Sequence, residues 1–138
     1  FLGFTLMFQK EVAERIVATP GSKSYGRLSV LARWLTDPRA MFDIPPSAFV
    51  PPPNVISTVV NLTMRPEPLA PARREDLEVV TRAAFGQRRK MLRRALAPIG
   101  GAAILEAANV PGDARAEDLD VKQFCALART LGEERFVT

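Results

Sequence analysis

The 138-residue chain contains no histidine and a single cysteine, Cys125. Without histidine, Ser-His-Asp catalysis, Cys-His nucleophiles and histidine-based metal sites are excluded, and one thiol cannot build a zinc site. One cysteine also forbids an intramolecular disulfide, and its place in an apolar helical pattern predicts a buried, unreactive thiol. Chemistry must therefore depend on carboxylates, lysines, Tyr25 and backbone groups, and we expect no metal.

Long hydrophobic runs are missing as well. No apolar stretch approaches the roughly 20 residues that a membrane-spanning helix needs, and residues 1–8 lack the basic start of a signal peptide. The single cysteine agrees with a reducing compartment. We therefore expect a cytoplasmic protein with no membrane partner.

The charge of the chain is unevenly distributed. The net charge is +4, with 47% apolar and 25% charged residues, which is typical of a globular protein. Residues 65–94 carry nine basic and four acidic side chains, whereas residues 95–138 carry four basic and seven acidic ones. A positive middle segment favours a polyanionic partner, most simply RNA or DNA.

Three segments have the character of β-strands. Residues 1–8 are nearly all apolar, which predicts a strand buried on both faces in the middle of a parallel sheet. Such a strand needs neighbours that the chain does not supply, so we expect a preceding segment to be missing. A short strand is predicted over 40–44, and a longer one over 55–64. The apolar face of the longer strand contains Ile56, Thr58, Val60, Leu62 and Met64.

Helical periodicity accounts for most of the remaining chain. Amphipathic helices are predicted over 9–18 and 27–35, the second with a stripe of Leu28, Leu31, Ala32 and Leu35 and with Trp34 beside it. Beyond the proline-rich connection at 65–71 the strand signals stop. Helices are predicted there over 75–85, 87–96, 102–108 and 121–131. We therefore divide the chain into residues 1–66 and 67–138.

Residues 49–55 contain three consecutive prolines, Pro51, Pro52 and Pro53. Proline fixes φ and removes a backbone donor, so the segment is predicted to be a stiff, exposed loop. A stiff loop holds Phe49 still at low entropic cost, which suits an aromatic ring that packs against a flat nucleic-acid base. The alternative is a hydrophobic plug in which Phe49 covers the edge of the sheet.

The segment 87–94 is strongly basic and is predicted to form one helix with a cationic outer face. Its five cations are Arg88, Arg89, Lys90, Arg93 and Arg94. At 100° per residue the last four fall within an arc of about 140°, and no acid lies within the segment to offset their repulsion. A solvated, charged face is the alternative. The repulsion favours binding to nucleic-acid phosphates.

Several segments together resemble the ribosomal RNA adenine dimethyltransferase family. They are Gln9-Lys10-Glu11-Val12, Lys23-Ser24-Tyr25-Gly26-Arg27-Leu28-Ser29-Val30, Pro45-Pro46-Ser47-Ala48-Phe49-Val50-Pro51-Pro52-Pro53-Asn54-Val55, Phe85-Gly86-Gln87-Arg88-Arg89-Lys90 and Arg115-Ala116-Glu117-Asp118-Leu119. The run of Arg and Lys after Phe85 favours the housekeeping small-subunit enzyme over the related large-subunit and antibiotic-resistance methyltransferases.

The resemblance implies an α/β Rossmann-like methyltransferase, of which this chain holds only the C-terminal part of the sheet, followed by a small all-α domain that binds rRNA. Such enzymes move methyl groups from S-adenosylmethionine to the amines of two adjacent adenosines in small-subunit (16S) rRNA, within a 30S precursor, during ribosome biogenesis. Neither metal nor histidine is needed, because alignment of the amine with the methyl carbon supplies most of the catalysis.

The family's glycine-rich cofactor loop, its acidic ribose-binding residue and its Asn-Leu-Pro-Tyr motif have no equivalent in this chain. The resemblance therefore carries over Phe49, with Pro51 and Pro53 shaping its loop, as the wall beside the target adenine. It also carries over Arg88, Arg89, Lys90, Arg93 and Arg94 as rRNA contacts. We expect this chain alone not to bind S-adenosylmethionine and to be inactive. A non-catalytic rRNA-binding or ribosome-assembly module is the alternative function.

Overall fold

The structure is a computed structural model that describes residues 2–137, with side chains described up to Glu133. Its strands are β1 (Gly3–Gln9), β2 (Thr36–Ile44) and β3 (Ser57–Met64). Its helices are α1 (Lys10–Val17), α2 (Arg27–Leu35), α3 (Arg74–Gly86), α4 (Leu92–Ala95), α5 (Ala102–Ala107) and α6 (Val121–Val137). Short 3-10 turns occur at Pro46–Ala48, Ala97–Ile99 and Ala116–Asp118.

The strands form an antiparallel sheet in the order β1-β3-β2. The prediction that β1 is buried on both faces of a parallel sheet is wrong for the described residues. β1 pairs with β3 alone, in antiparallel register with Leu6 opposite Val60. The side chains of Phe4, Leu6 and Met7 remain about half exposed, and of the large apolar residues of β1 only Phe8 packs against a core cluster. The apolar character of β1 therefore does not reflect burial by this part of the chain.

A small hydrophobic cluster joins the sheet to α1. It is built from Ala13 and Ile16 on the helix and Val60 on β3, with Phe8 and Leu62 packed beside them. Val60 is fully buried, which confirms the inward face predicted for this strand. The strand itself begins at Ser57, two residues later than predicted, because residues 55 and 56 still belong to the preceding loop.

A second, larger cluster lies among the helices and includes α2. Tyr25, Val30 and Trp34 are buried in it together with residues of α3 and α6. The bounds predicted for α2 are confirmed, but its predicted stripe is only half right: Leu31 and Ala32 pack against the cores, whereas Leu28 and Leu35 are exposed. The most deeply buried side of α2 carries Val30 and Trp34, and the spacing of the leucines did not indicate this side. This core draws on residues from both sides of the predicted division at residue 66.

The basic helix predicted over 87–96 is wrong. α3 ends at Gly86, residues 87–90 form a turn, and helical structure resumes only at Leu92. The N–H groups of Leu92 and Arg93 donate to the carbonyls of Ala114 and Gly112, at 2.8 and 3.0 Å, instead of to residues one turn earlier. Tertiary hydrogen bonds thus replace the helical ones, and the cations do not share one helical face.

None of the helices within residues 2–137 combines the length and apolar character needed to cross a bilayer.

Candidate nucleic-acid interface

The proline loop, residues 45–56, connects β2 to β3. Phe49 is half-buried, and its N–H donates to the Pro46 carbonyl at 3.1 Å, which closes the short 3-10 turn. The ring belongs to neither hydrophobic cluster of the described residues. Val50 next to it is 98% exposed, and Pro51 and Pro53 are exposed as well. The loop therefore presents an aromatic residue from an exposed, proline-stiffened segment.

Three clefts connect this loop to the basic segment, residues 87–94. The first, of about 450 Å³, lies between residues 54–56 and the start of α1. The second, of about 640 Å³, lies between α1, residues 23–29 and Arg88. A third, of about 420 Å³, lies at Arg88 and Arg115. The first two clefts share Glu11 and Glu14 as walls, and the last two share Arg88, so that the three clefts adjoin one another and together are called the trough.

The trough is lined mainly by positive charge. Cations outnumber carboxylates among its lining side chains by seven to three. The cations are Lys10, Arg15, Lys23, Arg27, Arg88, Arg89 and Arg115, and the carboxylates are Glu11, Glu14 and Glu117. Lined in this way, a trough raises the local concentration of polyanions and neutralises backbone phosphates.

Arg88 has a structural position in this wall. Its guanidinium donates to the carbonyls of Tyr25 and Lys23, at 2.6 and 2.9 Å, and lies 3.7 Å from the Glu117 carboxylate. It also lies over the ring of Phe85, 5.8 Å from the centroid. Arg88 therefore fixes the turn at residues 87–90 against residues 22–25.

Tyr25 secures the other side of this junction. Its hydroxyl donates to the Leu119 carbonyl at 2.7 Å, and its ring meets Phe85 edge-on with centroids 5.9 Å apart. The side chain is fully buried, and burial raises the pKa of its hydroxyl well above the ordinary value. Tyr25 therefore acts as a neutral core residue rather than as an acid or base.

The other four predicted contacts, Arg89, Lys90, Arg93 and Arg94, are all exposed. None forms an ion pair with another residue whose side chain is described. Arg89 lines the trough, and the other three lie in the turn and in α4, which follow it directly. These cations remain available to a polyanion although the predicted helix does not exist.

Arg115 and Arg27 were not predicted as RNA contacts. Arg115 shares the third cleft with Arg89 although 26 positions separate them, because residues 112–114 bind the backbone of α4. The Nε atom of Arg27 is buried without a hydrogen-bond partner among the described residues. No local spacing indicates either feature. Only the segment matches that contain Arg27 and Arg115 pointed to their regions.

The described residues do not fit an S-adenosylmethionine site. A Rossmann-type cofactor site needs a glycine-rich turn between a strand and a helix, where backbone N–H groups can approach the ligand. The junction of β1 and α1 consists of Gln9 and Lys10 and has no glycine. In addition, the part of the chain described here contains no cluster of three or more side chains suited to a metal ion.

Comparison with known proteins agrees with this architecture. A family model described as "Ribosomal RNA adenine dimethylase" matches residues 2–133. Proteins named "Ribosomal RNA small subunit methyltransferase A" are 57% identical over 132 residues in Rhodospirillum rubrum and 60% identical over 135 residues in Xanthobacter autotrophicus. These matches cover 95% and 96% of this chain but 46% of each relative. The chain thus spans less than half the length of the curated relatives it matches.

Solved structures show the same fold. A dimethyladenosine transferase from Plasmodium falciparum superposes with a TM-score of 0.86 at 22% identity, over 98% of this chain and 58% of that one. The 23S rRNA methyltransferase ErmE gives a TM-score of 0.60, also at 22% identity, over 94% and 55% of the two chains. The fold is that of part of a Rossmann-like methyltransferase with its helical region, as predicted. With its match over residues 2–133, the chain belongs to the ribosomal RNA adenine dimethylase family.

Proposed function

We propose that this chain is the substrate-binding part of a cytoplasmic enzyme that dimethylates two adjacent adenosines of small-subunit rRNA, in a 30S precursor, with S-adenosylmethionine as the methyl donor. The single observation that carries the proposal is the trough of adjoining, mainly cationic clefts. It runs from residues 54–56 of the proline loop, the loop that also carries the half-buried Phe49, to Arg89 in the basic segment. The names of the relatives, which all describe rRNA methyltransferases, support the same substrate class.

Each end of the trough has a distinct role in the proposal. Phe49, in a loop shaped by Pro51 and Pro53, forms a wall against which an unstacked adenine packs, since a base can stack on an aromatic ring. Arg89 and its neighbours bind the backbone phosphates on either side of the target. Arg88 keeps the basic segment in place through its carbonyl contacts.

S-adenosylmethionine supplies an electrophilic methyl group when bound. Because the described residues do not fit its site, we expect the donor to bind outside this chain, and calorimetry on these 138 residues alone should detect no micromolar binding of the donor. The contribution of this chain is to hold the adenine amine in the right orientation, which is most of what the reaction needs.

A non-catalytic rRNA-binding or assembly module is the second candidate. It is favoured by the fact that the described residues do not fit S-adenosylmethionine. RNA binding by the basic segment is common to both functions and does not distinguish them. The two functions differ at Phe49, since an assembly module has no need for an aromatic wall beside a target base.

The test is a methyl-transfer assay with the naturally expressed protein, unmethylated small-subunit particles and labelled donor. Phe49→Ala should lower the turnover number by about 100-fold, because a misplaced target base loses the geometry of transfer. Phe42→Ala is the matched control, since Phe42 is 60% exposed and lies on β2, outside the proline loop. Its turnover should change by less than about threefold.

Labelled methyl groups on adjacent adenosines of small-subunit rRNA would support the enzyme. No transfer by the unaltered protein, or equal turnover in both phenylalanine variants, would contradict it.

A further inference from the structure

The base of the proline loop is the place where the ends of all three described strands meet. Gln9, the last residue of β1, lies opposite Ser57, the first residue of β3. Ile44, the last residue of β2, lies opposite the same Ser57 on the other side. Any hinge motion of the loop relative to the sheet must therefore occur at this line of residues.

Lys10, which directly follows Gln9, makes two contacts with residues on the other side of this line. Its backbone N–H donates to the carbonyl of Ile56, the last loop residue, at 2.9 Å. Its ammonium group lies 3.1 Å from Oδ2 of Asp43, near the end of β2. Because β3 lies between β1 and β2, the Lys10 side chain bridges the central strand to reach the far one.

Asp43 extends the connection back to the central strand. Its Oδ1 accepts a hydrogen bond of 2.8 Å from the hydroxyl of Thr58, its register partner on β3. The hydroxyl of Thr58 and the ammonium of Lys10 lower the pKa of the Asp43 carboxyl. Thr58 is buried, whereas the Lys10 and Asp43 side chains are both 46% exposed. One carboxylate of β2 thus contacts both β3 and the first residue of α1, which directly follows β1, immediately below the loop.

The loop itself has little internal freedom. Five of the residues 45–56 are prolines, each with φ fixed near −65°, and Phe49 packs into neither core. The direction of the Phe49 ring therefore depends on how the loop leaves the sheet, more than on contacts of the ring itself.

We propose that Lys10, Asp43 and Thr58 form a brace that positions the proline loop, and through it Phe49, for the target base. The functional half of this inference rests on the proposed function, because it takes Phe49 as the wall of the adenine site. Lys10 and Asp43 are positioning residues in it and need not touch RNA.

Loop motion tests the brace without reference to activity. A nitroxide on Val50→Cys reports the loop, since Val50 is 98% exposed whereas the native Cys125 is fully buried. Lys10→Met and Asp43→Asn should each mobilise the label in the naturally expressed protein. Thr58→Val removes only the hydroxyl at nearly constant volume and should act in the same direction.

Asp37→Asn is the matched control. Asp37 lies on the same strand, is 43% exposed and pairs with Arg39 at 3.2 Å, but it lies at the other end of β2. This control should leave the label unchanged. Equal label mobility in the brace variants and in the control would overturn the proposal, whatever the fate of the proposed function.

Turnover supplies the second measurement. Lys10→Met and Asp43→Asn should each lower the turnover number about tenfold, because positioning affects transfer. Asp43 lines no part of the trough, so Asp43→Asn should change the affinity for rRNA by less than about twofold, whereas Lys10→Met also removes a cation of the trough. The double variant should lose little more than either single one, and Lys10→Asp with Asp43→Lys should restore part of the loss. If Phe49→Ala leaves turnover unchanged, the adenine wall fails while the label still decides on the brace. If the turnover losses of the two single variants add up in the double variant, and the mobility of the nitroxide does not change, the brace is overturned while the proposed function stands.

Discussion

The two hydrophobic clusters of the molecule differ greatly in size. Among the described residues, the cluster between the sheet and α1 contains three buried residues, whereas the cluster among the helices contains twenty. The larger one also includes aromatic contacts, such as the pair of Phe85 and Phe124 with centroids 5.5 Å apart. The difference shows that the helical side carries most of the packing energy of this chain, while the sheet side carries the exposed loop.

This division agrees with the chemistry proposed for each side. A loop that must admit a base cannot be buried, so its geometry has to come from stiff covalent structure and from polar contacts at its base. The cations, in contrast, are mounted on a well-packed frame through backbone hydrogen bonds at Leu92 and Arg93. Binding and positioning are therefore supported in different ways.

The largest expected effect is on the free energy of unfolding, when the same isoleucine-to-alanine substitution is made in each of the two clusters. Ile104 is fully buried in the large cluster and Ile16 is 5% exposed in the small one. Ile104→Ala should lower the free energy of unfolding by about 4 kcal/mol, whereas Ile16→Ala should lower it by about 2 kcal/mol, since the sparser site relaxes more easily around the cavity. Urea unfolding measures both. Equal losses would contradict the comparison.

A smaller loss is expected at alkaline pH and comes from the large cluster alone. Burial raises the pKa of Cys125 from 9.0 to about 11. Between pH 9 and 11 the thiol is therefore ionised in the unfolded state but still protonated in the folded state, which favours unfolding. The stabilisation is complete below pH 9 and is lost as the pH rises through 11, by on the order of 2 kcal/mol.

Tyr25, whose pKa burial also raises, adds a loss of the same sign above its ordinary value of 10.0. Unfolding measured from pH 8 to 11 should show the decline, and Cys125→Ala should reduce its slope. An unchanged slope in that variant would argue against a buried, neutral thiol.

Charge reversal on the helical side should weaken binding of small-subunit rRNA. Arg89→Glu combined with Arg93→Glu should cost more than about 1 kcal/mol of binding free energy and should flatten the dependence of affinity on salt. Arg39→Glu with Arg82→Glu is the control with the same charge change, at exposed positions outside both the basic segment and the trough. If both double variants bind alike, the basic segment is only a solvated surface.

The smallest expected effect is that of Phe49→Ala on stability. Because Phe49 packs into neither cluster, the free energy of unfolding should change by less than about 1 kcal/mol. Thermal unfolding of this variant beside the unaltered protein measures it. A large drop in melting temperature would favour the hydrophobic plug.

Much of the fold could be predicted from local patterns. The bounds of α2 were predicted as observed, and α3 and α6 begin within one residue of their predicted starts. The alternation in β3 correctly indicated Val60 as a core residue. These elements have strong periodicity and clear breakers, so neighbouring residues alone contain the signal.

The failures at the basic segment and in the arrangement of the site have a common cause. The segment 87–96 has a helical composition, yet Arg88 binds carbonyls of residues 22–25 and the backbone of α4 binds residues 112–114. Contacts between distant parts of the chain overrode the local propensity. For the same reason, the spacing of residues could not predict that Arg115 and Arg89 line one cleft or that Lys10 pairs with Asp43. The residues of the candidate site could be named from the resemblance, but not their arrangement.

Site-specific photo-crosslinking tests most directly whether one trough holds the RNA. A photoreactive side chain at Val50, at the proline loop, and another at Lys90, in the basic segment, should each crosslink to small-subunit rRNA, at nucleotides that lie close together in the folded RNA. The same probe at Arg82 should not. Crosslinking at Lys90 without any at Val50, or at widely separated nucleotides, would contradict a single trough that joins the two.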